Sequence, residues 1–198
     1  LPVHLALSHI ETKKYWWNCS VCRGEYLCSI PIRREVPNTC PYCNNEQALK
    51  GYNTIPDIYP ELCDYWSSKN LVKTDEVTRS VEAENKIFTW ICDCCNLEFQ
   101  ERLGIVLEAF TKNNSSKLNS ICPYCNKKLP KPNETVNYVK PYLINEWAKE
   151  LNGDIDTFFY DSNIIVDWIC RKCHRSYKAK ISERSENDQC CPYCSFKK

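Results

Sequence analysis

The chain has 198 residues, 43% apolar, 12% aromatic and 26% charged, which is the composition of a folded protein and excludes a disordered one. No apolar run approaches the roughly 20 residues that span a bilayer, and a formal charge of +1 argues against a uniformly basic nucleic-acid clamp. Sixteen cysteines with no signal peptide leave either a secreted disulfide framework or a metal protein of a reducing compartment; their arrangement favours metal, and a cytoplasmic location follows.

Taken in chain order, Tyr15, Trp16 and Trp17 predict a strand entering a first pair, Cys19 and Cys22. The apolar run Tyr26, Leu27, Cys28, Ile30 and Ile32 reads as a return strand, kept short or at an edge by Pro31. Arg33 and Arg34 follow, and Cys40-Pro41-Tyr42-Cys43 supplies the second pair, 17 residues after the first. Pro56-Asp57 then starts a helix with Ile58, Leu62, Tyr65 and Trp66 on one face, and Lys69 to Asn85 reads as a polar loop.

The plan then repeats. Trp90-Ile91-Cys92-Asp93-Cys94-Cys95 closes on Cys122-Pro123-Tyr124-Cys125 after 26 residues, nine more than in the first unit. Within that interval Leu103–Phe110 predicts a short helix or a longer strand, and Thr111–Lys117 a surface loop or a partner-binding finger. Pro141 opens a second connector helix carrying Leu143, Trp147 and Leu151, closed by Asn152-Gly153. Trp168-Ile169-Cys170-Arg171-Lys172-Cys173 closes on Cys191-Pro192-Tyr193-Cys194, again after 17 residues. Successive first cysteines lie 73 and 78 positions apart, so the chain is a tandem array.

Two C-x2-C pairs per unit are the spacing of a closed tetrahedral four-cysteine zinc site. The ligands are Cys19, Cys22, Cys40 and Cys43; Cys92, Cys95, Cys122 and Cys125; and Cys170, Cys173, Cys191 and Cys194. Trp-x-Cys selects Cys92 and Cys95 over Cys94, and Cys-Pro-Tyr-Cys selects Cys191 over Cys190; Cys28 and Cys63 read as ordinary buried residues. The expected fold is a small metal-stabilised α+β array of three zinc ribbons, each a short β-hairpin, joined by helical connectors. The ribbons occupy 1–50, 86–130 and 164–198, and the connectors 51–85 and 131–163. The expected cofactor is three structural Zn2+ ions. Trp17, Trp90 and Trp168 read as the small core of each ribbon, with Trp66 and Trp147 docking the connectors. The absence of Met and a start at Leu1, just before the first unit, point to a piece of a longer protein.

Catalysis finds little support. Cys-Pro-Tyr-Cys is also a dithiol redox motif, but each copy is matched by an upstream C-x2-C, and after Cys194 only four residues remain to form an activating helix. His4, His9 and His174 have no acid–base constellation around them, and four glycines provide no phosphate loop. A non-enzymatic recognition module is the expectation, with no membrane and no small-molecule substrate as partner. Twelve thiolates with three divalent ions add −6 to the formal charge, so the loaded chain sits near −5. The charge is unevenly spread: residues 57–108 carry eleven acidic and five basic side chains, and residues 167–198 carry eight basic and four acidic. Any polyanion contact is therefore expected at the last unit, through Arg171, Lys172, Arg175, Lys178, Lys180 and Arg184, with Arg33 as the equivalent of Arg184. Lys178, Lys180 and Arg184 are expected to form its ridge. A protein-interaction scaffold remains the alternative, supported by the acidic centre.

The combined pattern resembles the tandem probable zinc-ribbon domain family of treble-clef-like repeats. It is carried by Trp-x-Cys-x2-Cys, an aromatic four residues on (Tyr26, Phe99, Tyr177), Ile30–Arg33 and Ile181–Arg184, Cys-Pro-x-Cys, and the Leu62–Trp66 and Leu143–Trp147 steps. Leu103 and Val106 depart from it in the middle unit, and Gly24 is the single match to its glycine after the second cysteine. Such arrays often sit beside nuclease-like domains. The resemblance therefore implies nucleic-acid handling, DNA favoured over RNA, within a larger nuclease or a mobile-element or defence-type protein.

Overall fold

The computed structural model describes residues 13–36, 38–112, 118–186 and 191–195. The chain forms two compact bodies, residues 1–121 and 122–198. Residues 113–117 of the middle insertion, and Cys190, lie outside the described residues.

Each ribbon is built on one two-stranded antiparallel hairpin: β1 (Lys14–Asn18) with β2 (Glu25–Ser29), β3 (Ile87–Ile91) with β4 (Glu98–Arg102), and β5 (Ile165–Ile169) with β6 (Ser176–Lys180). Register places Trp17 opposite Tyr26, Trp90 opposite Phe99 and Trp168 opposite Tyr177, so each knuckle tryptophan faces the aromatic across the hairpin. The indole N–H of each tryptophan donates to a second-strand carbonyl, that of Cys28, Glu101 or Ala179. Five-residue hairpins bury too little to stand alone, so the metal and the connectors must hold them.

A helix follows every hairpin: α1 (Ile30–Glu35), α4 (Leu103–Lys112) and α7 (Ile181–Glu186). This corrects two expectations. The run through Ile30 and Ile32 leaves the strand at Ser29, because Pro31 in the first helical turn needs no amide partner there. Arg184, expected on one ridge with Lys178 and Lys180, sits in α7, four residues past the end of β6, and does not share their face by strand alternation. Leu103–Phe110 falls in a helix, α4, whose Leu103, Val106, Leu107 and Phe110 recur at i, i+3, i+4 and i+7 and are buried.

The connectors are not continuous helices. Each is a four-residue turn, α2 (Ile55–Ile58) or α5 (Val136–Val139), followed by a 3-10 turn, Pro60–Tyr65 or Pro141–Glu146. Pro60 and Pro141 lack the N–H that a continuing helix needs, so the chain restarts in a tighter turn. The tryptophan then leaves in extended conformation and bridges the knuckle strand: Trp66 pairs with Trp90, and Trp147 with Trp168. Leu62 and Leu143 are fully buried, but Leu151, expected on the same face, is 69% exposed because the helical phase is lost at Trp147. Ile58 is exposed because the restart at Pro60 breaks the helical phase between it and Leu62. Gly153 ends α6 (Lys149–Asn152) at φ +80°, the left-handed position its sequence predicts. The polar tract after Lys69 is not all loop: Thr78 bridges Thr54, and α3 (Val81–Asn85) is capped by the Ser80 side chain accepting from the Ala83 amide.

In the second body the third ribbon and its connector share one core. Val136, Leu143, Trp147, Ile155, Val166, Trp168, Tyr177 and Ile181 are buried together with Cys170 and Cys191. Trp147 meets Trp168 edge to face at 5.3 Å, and Trp66 meets Trp90 the same way at 5.1 Å. No helix among the described residues is long and apolar enough to cross a membrane.

Candidate metal centres

The knuckles are set by backbone geometry. After each first C-x2-C pair, the residue four places beyond the first cysteine takes a left-handed conformation: Arg23, Asn96 and His174, at φ 55–61°. That turn lets the amide of Arg23, Asn96 or His174 donate to the first cysteine's carbonyl, while the first cysteine's amide reaches the residue after the turn. Asn45 and Lys127 repeat the left-handed step after the second pairs of the first and middle ribbons. A Cβ at Gly24 would meet the Tyr42 ring at 2.5 Å; glycine lets that ring close over the first knuckle, where the Tyr42 hydroxyl donates to the Glu25 carbonyl. In the third ribbon the same place holds Arg175, whose guanidinium lies over the Tyr193 ring.

These turns gather the cysteines into three groups of four, with all sulfurs of a group within 4.8 Å of one another: Cys19, Cys22, Cys40 and Cys43; Cys92, Cys95, Cys122 and Cys125; and Cys170, Cys173, Cys191 and Cys194. In each group the first cysteine of each pair is buried and the second is half-buried. Cross-pair Sγ–Sγ distances are 3.6 Å for Cys19–Cys43, 3.5 Å for Cys22–Cys40, 3.7 Å for Cys170–Cys194 and 3.6 Å for Cys173–Cys191. A disulfide needs about 2.05 Å. A tetrahedron of sulfurs at ~2.3 Å from zinc has edges of about 3.8 Å, so the donor set fits the ion. Cys94 is exposed and outside the middle group, Cys28 is buried with its thiol on the Ser29 carbonyl, and Cys63 is half-buried.

The electrostatics also call for a cation. Amide donation from Cys22 and Val21 holds the Cys19 thiol down at about 6. Burial pushes Cys22 up to about 12 and raises Cys40 as well. In the third ribbon the Cys173 amide brings Cys170 to about 6, burial raises Cys191, and hydrogen bonding with Cys173 and Cys170 pushes Cys194 to about 12. Four thiolates cannot share so small a space without a positive ion, and zinc supplies it. Outer partners then take up remaining sulfur lone pairs: the Gly24 amide on Cys22 at 3.4 Å and the Tyr52 hydroxyl on Cys43 at 3.5 Å. Four sulfurs fill the tetrahedron and leave no open position for a water.

The candidate phosphate contacts divide. Arg171, Lys172, Arg175 and Lys178 are exposed, Lys178 lying across the hairpin from Asp167. Lys180 is half-buried and paired with Glu183 at 3.1 Å. Arg33 is exposed, with its guanidinium 4.5 Å over the Trp17 ring and donating to the Tyr26 hydroxyl. Arg184 is withdrawn from the expected ridge: its side chain is 4% exposed and donates to Glu146 at 2.6 and 3.2 Å. Burial works against its charge, but the Glu146 carboxylate outweighs burial and raises the guanidinium above its ordinary value. A buried arginine so engaged is a structural lock, not a phosphate reader.

Asn53 and Asn70 escaped the sequence reading, and Asn152 was read there only as part of a helix stop. Asn53, buried, ties down the second knuckle by donating to the Tyr42 and Gln47 carbonyls and accepting from the Leu49 amide. Asn70 and Asn152 each grip one strand peptide, donating to the carbonyl and accepting from the amide of Thr89 or Asp167. Their signal was positional: each follows the connector tryptophan by four or five residues.

Compared with known proteins, the chain has no match among the curated proteins searched. Two segments, residues 6–46 and 143–197, match the model of a family described as a probable treble clef zinc finger domain. The second match begins at Leu143, so it takes in the Leu143–Trp147 step of the connector with its ribbon. The first and third ribbons are thus similar to the probable treble clef zinc finger domain, and the middle ribbon repeats their knuckles, hairpin and helix around a third four-cysteine site.

Proposed function

We propose that this zinc-finger module is a non-catalytic recognition element that contacts nucleic acid, duplex DNA in the first instance, through its third ribbon. The observation behind this reading is the group of exposed cations at one closed metal site: Arg171 and Lys172 between two ligands, Arg175 just after them, and Lys178 on the adjoining hairpin. A rigid metal-pinned turn holds these charges at low entropic cost, as phosphate contacts require. Lys180 contributes less because Glu183 engages it, and Arg184 does not take part. Such an element would hold a larger nuclease or mobile-element protein on its substrate, with the chemistry performed elsewhere.

The test is a salt titration of binding to duplex DNA by the zinc-loaded chain, beside a variant with Arg171, Lys172, Arg175 and Lys178 all changed to Glu. The parent should bind with a steep log–log salt slope, each lost contact should flatten it by roughly one unit, and the variant should keep its zinc and lose the DNA. No binding by the parent at low salt would transfer the function to the second reading, a protein-interaction scaffold. One observation favours that reading: residues 57–108 carry eleven acidic and five basic side chains.

A further inference from the structure

The two connectors share a backbone plan but not a surface. The Ile55 amide donates to the Val77 carbonyl and the Val136 amide to the Phe158 carbonyl. Lys50, Gly51, Asp57 and Asp75 of the first connector therefore correspond to Lys131, Pro132, Tyr138 and Asp156 of the second. In the first, the polar groups satisfy one another: Asp57 accepts from the amides of Gly51 and Tyr52, and Asp75 pairs with Lys50 at 2.6 Å. In the second, Pro132 has no amide to give and Tyr138 no carboxylate to receive one.

A cleft of about 410 Å³ stands there instead, built by described residues of the second body. Leu129, Pro130 and Pro132 give it apolar walls, Tyr124 and Tyr138 add two aromatic rings, and Asp156 adds a negative charge. The Tyr138 side chain is left 68% exposed. The Asp156 carboxylate accepts from the Asn137 side-chain amide at 3.3 Å and, among the described residues, forms no ion pair. Lys131, at the place of Lys50, does not pair with it; the Lys131 backbone amide donates to Glu134. One carboxylate, two aromatic rings and an apolar wall suit a cation carried on an alkyl stem.

We propose that this cleft binds a lysine side chain of a partner polypeptide. The ammonium pairs with Asp156 and lies against the Tyr124 and Tyr138 rings, while the methylene stem covers Leu129 and the two prolines. The first connector makes the same pairing within one chain, Lys50 on Asp75. An exposed ion pair alone contributes little, so the rings and the apolar walls must supply most of the affinity, and the charge the selectivity. The carboxylate disfavours phosphate, so the site stands independently of the nucleic-acid reading.

The probe is the peptide acetyl-Gly-Gly-Lys-Gly-Gly-amide, titrated into the full zinc-loaded chain and followed by amide NMR shifts. Saturable shifts at Asn137, Tyr138 and Asp156 are expected, with a Kd on the order of 1 mM, as one side chain in an open cleft allows. The same peptide with its lysine Nε-acetylated should not bind. Asp156→Asn, which keeps shape and removes charge, should weaken binding about 10-fold, and Tyr138→Ala about 3-fold. Retained zinc content shows that each variant is folded. Lys131→Gln should leave the affinity unchanged; a large gain would mean that the chain's own lysine occupies the site, and would overturn the proposal. So would equal affinity for the acetylated peptide, parent-like binding by Asp156→Asn, or no saturable shift at these residues.

Discussion

The middle and third ribbons hold the same connector against the same hairpin with opposite chemistry. In the third, a buried ion pair between Glu146 and Arg184, joined by Tyr177, sits where Leu143 and Trp147 dock. In the middle, Tyr65 takes the glutamate's place and meets Phe110 edge to face at 6.1 Å, in a helix that carries Val106 instead of arginine. The backbone tolerates either because the shared elements are enough to place the connector: a proline-started 3-10 turn, a buried leucine and a tryptophan bridge. What differs is sensitivity to single changes. A buried pair adds little over a packed apolar set, but leaves an uncompensated charge when halved.

The largest expected effect removes what both ribbons have in common. Cys170→Ser or Cys92→Ser should cost one zinc and unfold the ribbon concerned, since ligation supplies on the order of 10–16 kcal/mol to a small zinc module. Cys94→Ser should change neither metal content nor melting. Next, Glu146→Ala should cost about 3–5 kcal/mol in the third ribbon by stranding Arg184. The triple change Glu146→Tyr, Tyr177→Phe and Arg184→Val, which copies the middle set, should return to within about 1–2 kcal/mol of the parent in denaturant titrations read at Trp168. A triple variant as unstable as Glu146→Ala would show that the two locks are not interchangeable.

Smaller effects sharpen the contrast. Trp147→Ala should cost about 3–5 kcal/mol, and Trp66→Ala less, because Trp66 is only half-buried. Equal losses would mean that exposure is not what sets them apart. The smallest effect is one of pH. Asp57 accepts from the hydroxyl and amide of Thr54 and from the amides of Gly51 and Tyr52, bonds that hold its carboxyl below the usual range. The second connector has Tyr138 at that place. The stabilisation is present above the ordinary carboxylate pKa and is lost as pH falls through the folded value. Asp57→Asn should therefore remove an acid-sensitive contribution of no more than ~1 kcal/mol, screened by solvent, from the first connector alone.

How much of this was legible in sequence depends on the length scale of the signal. The cysteine pairs with their Trp-x prefix repeat as contiguous motifs, and they led to the donor set before any geometry. Leu62, Trp66, Leu143 and Trp147 were visible as a recurring pair, but their helix was not real. The 3-10 turn ends at Glu146 and Trp147 leaves in extended conformation, so a period of four carried from Trp147 to Leu151 ended in solvent. Arg184 was grouped with Lys178 and Lys180 in one charged ridge, but it lies in α7, which turns it inward to Glu146. Its partner Glu146 lies 38 residues away, and a single buried ion pair leaves no local pattern. The concerted replacement of Glu146, Tyr177 and Arg184 by Tyr65, Phe99 and Val106 is written in the sequence, yet it can be read only once the fold brings the three places together.

The central claim is three closed four-sulfur metal centres on one chain. Elemental analysis of protein purified under reducing conditions without added metal should return close to three zinc per chain, with the metal-ligating thiols unreactive until a chelator removes it. One zinc or none, with the cysteines recovered as disulfides, would contradict it.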